Sequence, residues 1–162
     1  MKKILISLFA LTSLVFMGCD LFINEVEVHN GLVSNVDSVA IAEEAFYDEY
    51  WALAEDGDTT VFLESFDTFK VAVKGLDDYM EITEFSTTQQ PMVKKYYDSY
   101  KPIAQGYIGI AEEFALEVES NGYNFEDLES YFVELDGYTL DFVSADDTFS
   151  ELINTLANIT NR

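Results

Sequence analysis

Apolar residues recur at alternating steps of three and four along most of this chain, and only an α-helix gathers residues so spaced on one face. In one block Phe62, Phe66, Phe69, Val73, Leu76 and Met80 follow the rule, and in another Val93, Tyr96, Tyr100, Ile103, Tyr107, Ile110 and Phe114 follow it without a slip. An earlier block runs through Val28, Leu32, Val36, Val39, Phe46, Tyr50 and Leu53, with Glu43 where an apolar residue is due. The last carries Phe125, Leu128, Phe132, Leu135, Phe142, Phe149, Ile153 and Leu156, with Thr139 and Asp146 as exceptions. Four long helices are predicted, each of roughly 26 to 36 residues, or on the order of 40 to 55 Å.

The breaks between blocks carry turn and cap chemistry. Asp56-Gly57-Asp58 ahead of Thr59 and Thr60 predicts a turn and an N-cap, and Ser86, Thr87 and Thr88 precede a helix with Pro91 in its first turn. Asn121-Gly122 stops that helix, and Asn124 with Asp127 three residues on resembles a capping box. Short links force consecutive helices to run antiparallel, so the predicted fold is all-α, an up-down-up-down antiparallel four-helix bundle over residues 26–162. Pro102 lies inside the third block and removes one backbone hydrogen bond; the spacing keeps phase through it, which predicts a kinked but continuous helix. Gly106 and Gly109 are expected to let a neighbouring helix approach closely.

The chain is strongly acidic, with 31 Asp and Glu against 8 Lys and Arg and a formal net charge of -23. Nucleic acid and anionic lipid surfaces require a basic patch, so neither suits the folded part as a ligand. With 49% hydrophobic and 15% aromatic residues, the chain nonetheless has ample material for a core. The acid pairs Glu43-Glu44, Asp77-Asp78, Glu112-Glu113 and Asp146-Asp147 are expected to be solvated faces. Neighbours on a helix diverge by about 100° and do not converge on one substrate.

Metal and cofactor chemistry finds no footing in the sequence. His29 is the only histidine and position 26 is Val, which excludes the Glu-x-x-His pairs of a di-iron bundle. Haem attachment and zinc coordination fail for want of Cys and His, and Asp56-Gly57-Asp58 lacks the spaced ligands of a calcium loop. His29 is expected to be a surface residue, and no cofactor or catalytic residue is predicted.

Two constellations depart from a plain apolar bundle. Counted inward from one end, Glu43, Lys74, Tyr107 and Thr139 fall at similar depth, which predicts a polar layer that fixes helix register or lines a small pocket. The plainer arrangement turns Glu43 outward and leaves Lys74 exposed. Tyr96, Tyr97, Tyr100 and Tyr107 surround the Pro102 bend, either as a core stripe or as a groove whose phenols face a polar ligand.

At the amino end, Lys2 and Lys3 precede an apolar run from Ile4 to Met17, followed by Gly18 and Cys19, the only cysteine. Phe16-Met17-Gly18-Cys19 resembles the lipobox of bacterial lipoproteins, with Phe16 where that family usually has Leu. The resemblance implies that residues 1–18 are a removed signal peptide, that Cys19 carries a diacylglyceryl group, and that residues 19–25 form a tether. The apolar run, at ~14 residues, is shorter than the ~20 needed to cross a bilayer, whereas two acyl chains suffice as an anchor. Asp20 resembles the signal that retains lipoproteins of some two-membrane bacteria on the inner membrane.

The body of the chain looks similar to small all-helical bacterial lipoproteins. The expected protein is a membrane-anchored, non-enzymatic helical module outside the cytoplasm, structural or binding an envelope protein partner. The alternative is a small-ligand or cation binder that uses the tyrosine region or the acidic faces.

Overall fold

The computed structural model describes the side chains of residues 25–55, 58–87, 89–124 and 126–156. The expected signal peptide, Cys19 and residues 20–24 of the expected tether lie outside the described residues, as does the side chain of Phe125. The fold is an all-α four-helix bundle: α1 (Lys2–Asp56, described from Glu25 onward), α2 (Thr59–Ile82), α3 (Gln90–Asn121) and α4 (Phe125–Thr160). α1 packs on α2 and α4, and α3 packs on α4 and α2, closing the ring. Neighbouring helices run antiparallel: Gly31 lies by Tyr79 while Phe46 meets Phe62, and Tyr100 meets Phe149 while Phe114 meets Phe132.

The helix ends follow from local hydrogen bonding. The Asp58 carboxylate accepts from the backbone N–H of Thr60 at 3.0 Å and caps α2. Asn124 caps α4 through the Glu126 N–H and donates its amide to the Asp127 carboxylate at 2.6 Å. Gly122, at φ 75°, takes the left-handed conformation that ends α3, its N–H bonded to the Val118 carbonyl. Between α2 and α3, Ser86 and Gln89 bond reciprocally: each backbone N–H is received by the other's side-chain oxygen at 3.3 Å. This is a capping box with Gln at its third position, which the Ser86-Thr87-Thr88 reading missed. α2, at 24 residues, falls short of the expected length because Thr83 adopts an extended conformation and ends it.

Phe46, Tyr50, Phe62, Phe69, Tyr107, Phe114, Phe142 and Phe149 are fully buried and form a continuous aromatic column. The seams of α1 and α2 match the spacing read from the sequence. On α4, Leu152 is buried where Ile153 was expected and Ile153 is half-buried. On α3 the buried row is Val93, Tyr97, Tyr100, Ala104, Tyr107, Ala111, Phe114 and Val118, so the seam shares every second residue with the expectation and places Tyr97, Ala104 and Ala111 inside, with Tyr96, Ile103 and Ile110 half-buried. The alanines allow the helix backbones to approach, and the larger isoleucines flank the contact. Gly106 also makes a close approach possible: a Cβ there would stand 2.6 Å from the Tyr138 ring. Gly109 has no such role, since a Cβ on it would meet nothing within 4 Å.

α3 continues through Pro102 as one helix. Pro102 is exposed, and the backbone hydrogen bond it gives up is the main local cost. Pro102→Ala should therefore stabilise the bundle by about 1–3 kcal/mol in denaturant unfolding, with no change in helix content by circular dichroism.

Candidate functional site

At mid-height in the bundle one core position on α1 is acidic. Glu43 is 6% exposed, and its carboxylate accepts a hydrogen bond from the Tyr107 hydroxyl on α3 at 3.1 Å. Tyr107 is itself fully buried and lies 2.8 Å from the Thr139 hydroxyl on α4. A phenol has one proton to give, so with Glu43 ionised Tyr107 donates to the carboxylate and Thr139 donates to Tyr107. Three helices are thereby joined through one chain of hydrogen bonds. Phe46 and Phe69 pack on the Tyr107 ring with centroids at 5.8 and 5.3 Å, so the chain sits in an apolar wall.

The expected fourth member is not there. Lys74 is exposed, and its ammonium pairs with Asp78 one turn along α2 at 2.6 Å. Gly75 sits beside Asn35 and Tyr79 beside Gly31, which puts Lys74 about two turns from the level of Glu43. An ammonium keeps its hydration by pairing at the surface, so the register of α1 against α2 and the preference for water both remove it.

Burial pushes the Glu43 carboxyl up to about 7; the Tyr107 hydrogen bond opposes the rise, and the charges of Asp146 and Glu44 add to it. Asp146, half-buried on α4, is also raised, first by burial and then by Asp147 and Asp37. Of the acid pairs expected on solvated faces, Glu43-Glu44, Asp77-Asp78 and Asp146-Asp147 each turn one member inward and one outward, and only Glu112-Glu113 is exposed at both positions. Burial likewise raises Tyr107, with the Glu43 charge adding to it, so its hydroxyl stays protonated and available as a donor.

The four tyrosines do not form one site. Tyr107 belongs to the polar chain. Tyr97 donates to the Asp77 carboxylate on α2, and the Lys101 ammonium reaches the Tyr97 hydroxyl at 3.4 Å and Asp77 at 3.7 Å. Tyr96 and Tyr100 line a surface groove of about 480 Å³ between α3 and α4, together with Lys95, Ser99, Asp141 and Thr148. Tyr100 lies between Phe142 and Phe149, and its hydroxyl is buried with no hydrogen-bond partner among the described residues. A second groove of about 410 Å³ lies between α2 and α3, where Lys70 pairs with Asp67 at 2.8 Å and covers the Phe66 ring.

A further link was not foreseen: the Tyr50 hydroxyl on α1 donates to Asp136 on α4 at 2.6 Å. Tyr50 stood on the predicted seam, so the need of a buried phenol for a partner was the available signal. His29 is half-buried rather than on the surface, and burial lowers its pKa. Among the described residues no three His, Cys, Asp or Glu side chains gather to hold a metal ion, and no helix is long and apolar enough to cross a membrane. No protein-family model, curated protein or solved structure matches the chain.

The Glu43 geometry sets a pH dependence. The folded-state pKa, about 7, exceeds the ordinary value of 4.5, so this group's contribution is fully present below about pH 4.5 and is lost as pH rises through about 7. Wild-type melting temperature should fall between pH 5 and 8 by more than that of Glu43→Gln, which keeps the acceptor for Tyr107. At pH 8 the variant should be the more stable, on the order of 1–2 kcal/mol after allowance for screening by water at a partly solvated site. Parallel pH profiles for the two proteins would show that Glu43 is ionised without penalty.

Proposed function

We propose that this protein is a lipid-anchored, extracytoplasmic helical module of a bacterial cell envelope that acts by binding a partner protein rather than by catalysis. The anchor reading rests on Lys2, Lys3, the apolar run to Met17 and the Gly18-Cys19 junction. A diacylglyceryl thioether on Cys19 also accounts for a single cysteine in an exported chain, where a free thiol would face an oxidising compartment. The observation that carries the binding reading is the core itself. Aromatic side chains fill the bundle axis, so the described body presents its chemistry on the outer surface, which is acidic and carries exposed apolar residues.

A second reading, small-ligand binding, is favoured by one observation. The α3/α4 groove pairs an aromatic wall, Tyr96 and Tyr100, with the hydroxyls of Ser99, Ser144 and Thr148 and with opposite charges at Lys95 and Asp141. That lining suits a small polar or zwitterionic molecule. A ligand bound there raises the melting temperature in a saturable way, and Tyr96→Ala removes the effect.

Mass spectrometry of the protein purified from its native membrane should find a chain beginning at Cys19 with a diacylglyceryl mass on it. Cys19→Ser should leave residues 1–18 attached and remove the diacylglyceryl mass from the intact protein. A bare Cys19 thiol on the wild-type protein would overturn the envelope reading.

A further inference from the structure

Charge is divided unevenly around the bundle. Among the described residues, Lys70, Lys74, Lys94, Lys95 and Lys101 all lie on α2 and α3, and α1 and α4 carry no Lys or Arg. Four of those lysines are engaged by aspartates of α2 or α3. Among the described residues the acids of α1 and α4 therefore have no cation on their own helices, and the charged groups where these two helices meet are negative.

The same face carries four of the exposed apolar side chains, Trp51, Val133, Leu140 and Val143. Trp51 packs on Phe132 with ring centroids 5.8 Å apart, and Tyr50 bonds Asp136, so these residues mark the sides of α1 and α4 that look at each other. Steps of four and three from Asp136 give Leu140, Val143 and Asp147; steps of four and three back from Trp51 give Tyr47 and Glu44. Both rows flank the α1/α4 boundary. Val133, three residues before Asp136, joins the first row. Trp51 is 41% exposed, Val133 71%, Leu140 74% and Val143 47%. An apolar strip rimmed by Glu44, Asp136 and Asp147 thus runs along the boundary, and from Val133 to Asp147 it is about 20 Å long, the length of a helix of about 14 residues.

We propose that the α1/α4 face is a docking surface for a basic amphipathic helix of a partner protein, which lays its apolar side on Trp51, Val133, Leu140 and Val143 and its Lys or Arg side chains on the acidic rim. The proposal rests on the partner-binding reading above and names the partner's chemistry. Charge complementarity selects this occupant. A second copy of this chain would bring another negative surface, with four of its five described lysines paired to its own aspartates, and an anionic membrane would be repelled. Apolar residues at helical spacing give the contact energy, and the rim sets orientation and salt dependence.

Trp51 is the only tryptophan, so its emission reports on this face directly. The full-length chain in zwitterionic nanodiscs is titrated with a Trp-free Leu/Lys peptide of about 14 residues patterned as an amphipathic helix, and with a scrambled peptide of the same composition. Empty nanodiscs are subtracted. The expected result is a saturable blue shift with the patterned peptide at near-physiological salt, weakened at least tenfold by scrambling and by Leu140→Gln. Val71→Gln, an equally exposed apolar change on α2, should leave affinity unchanged.

Equal affinity for the two peptides, equal affinity of Leu140→Gln and wild type, or no saturable shift overturns the proposal. Self-association in sedimentation that Leu140→Gln abolishes also overturns it, since the face would then belong to a second copy. Cys19 acylation is read independently by mass. Loss of the peptide signal with acylation intact removes this surface alone, whereas a bare thiol removes the envelope reading and leaves the titration standing.

Discussion

The bundle depends on the packing of aromatic rings along its axis. Phe46 touches Tyr50 on its own helix, Phe62, Phe66 and Phe69 on α2, and Tyr107 on α3. Phe142 of α4 closes the column against Phe69, Tyr100 and Tyr107. Each such ring contributes about 1.5–3 kcal/mol by leaving water, and edge-to-face and stacked pairs add to that. A chain with so many carboxylates repels itself, and this apolar column is what offsets the repulsion.

The polar features gain their strength from that column. In a dry surround, Tyr107 is held between Glu43 and Thr139 because the alternative is a buried phenol without a partner. Tyr50 and Asp136 join α1 to α4 on the same principle, and Tyr97 with Asp77 joins α3 to α2. These links run between different helix pairs, so a slip of any helix by one turn would break at least one of them. Register is therefore a property of the polar contacts, while cohesion belongs to the rings.

Much of the fold could be read in advance because its signals are local. The three-and-four spacing, the Asp58 and Asn124 caps and the Gly122 stop each depend on residues within one or two turns, and the structure has all of them. Lys74 failed for a different reason: its depth was counted from the chain ends, whereas the contacts of Gly31 with Tyr79 and of Asn35 with Gly75 slide α2 relative to α1. The seam of α3 failed similarly. Both Tyr96-Ile103-Ile110 and Tyr97-Ala104-Ala111 fit the spacing, and the choice between them lay in how closely α4 and α2 approach.

The sequence by itself determined the helices, their order and antiparallel sense, the acidity of the surface and the leader-like amino end, because periodicity, caps and composition act over short range. Only the tertiary structure decided that Glu43 points inward to Tyr107 and Thr139, that Lys74 stays in water, and that Trp51 of α1 and Val133, Leu140 and Val143 of α4 share one acid-rimmed face. Those outcomes turn on the rotation and sliding of whole helices against one another, which is set by the summed packing of many side chains and is carried by no single stretch of sequence.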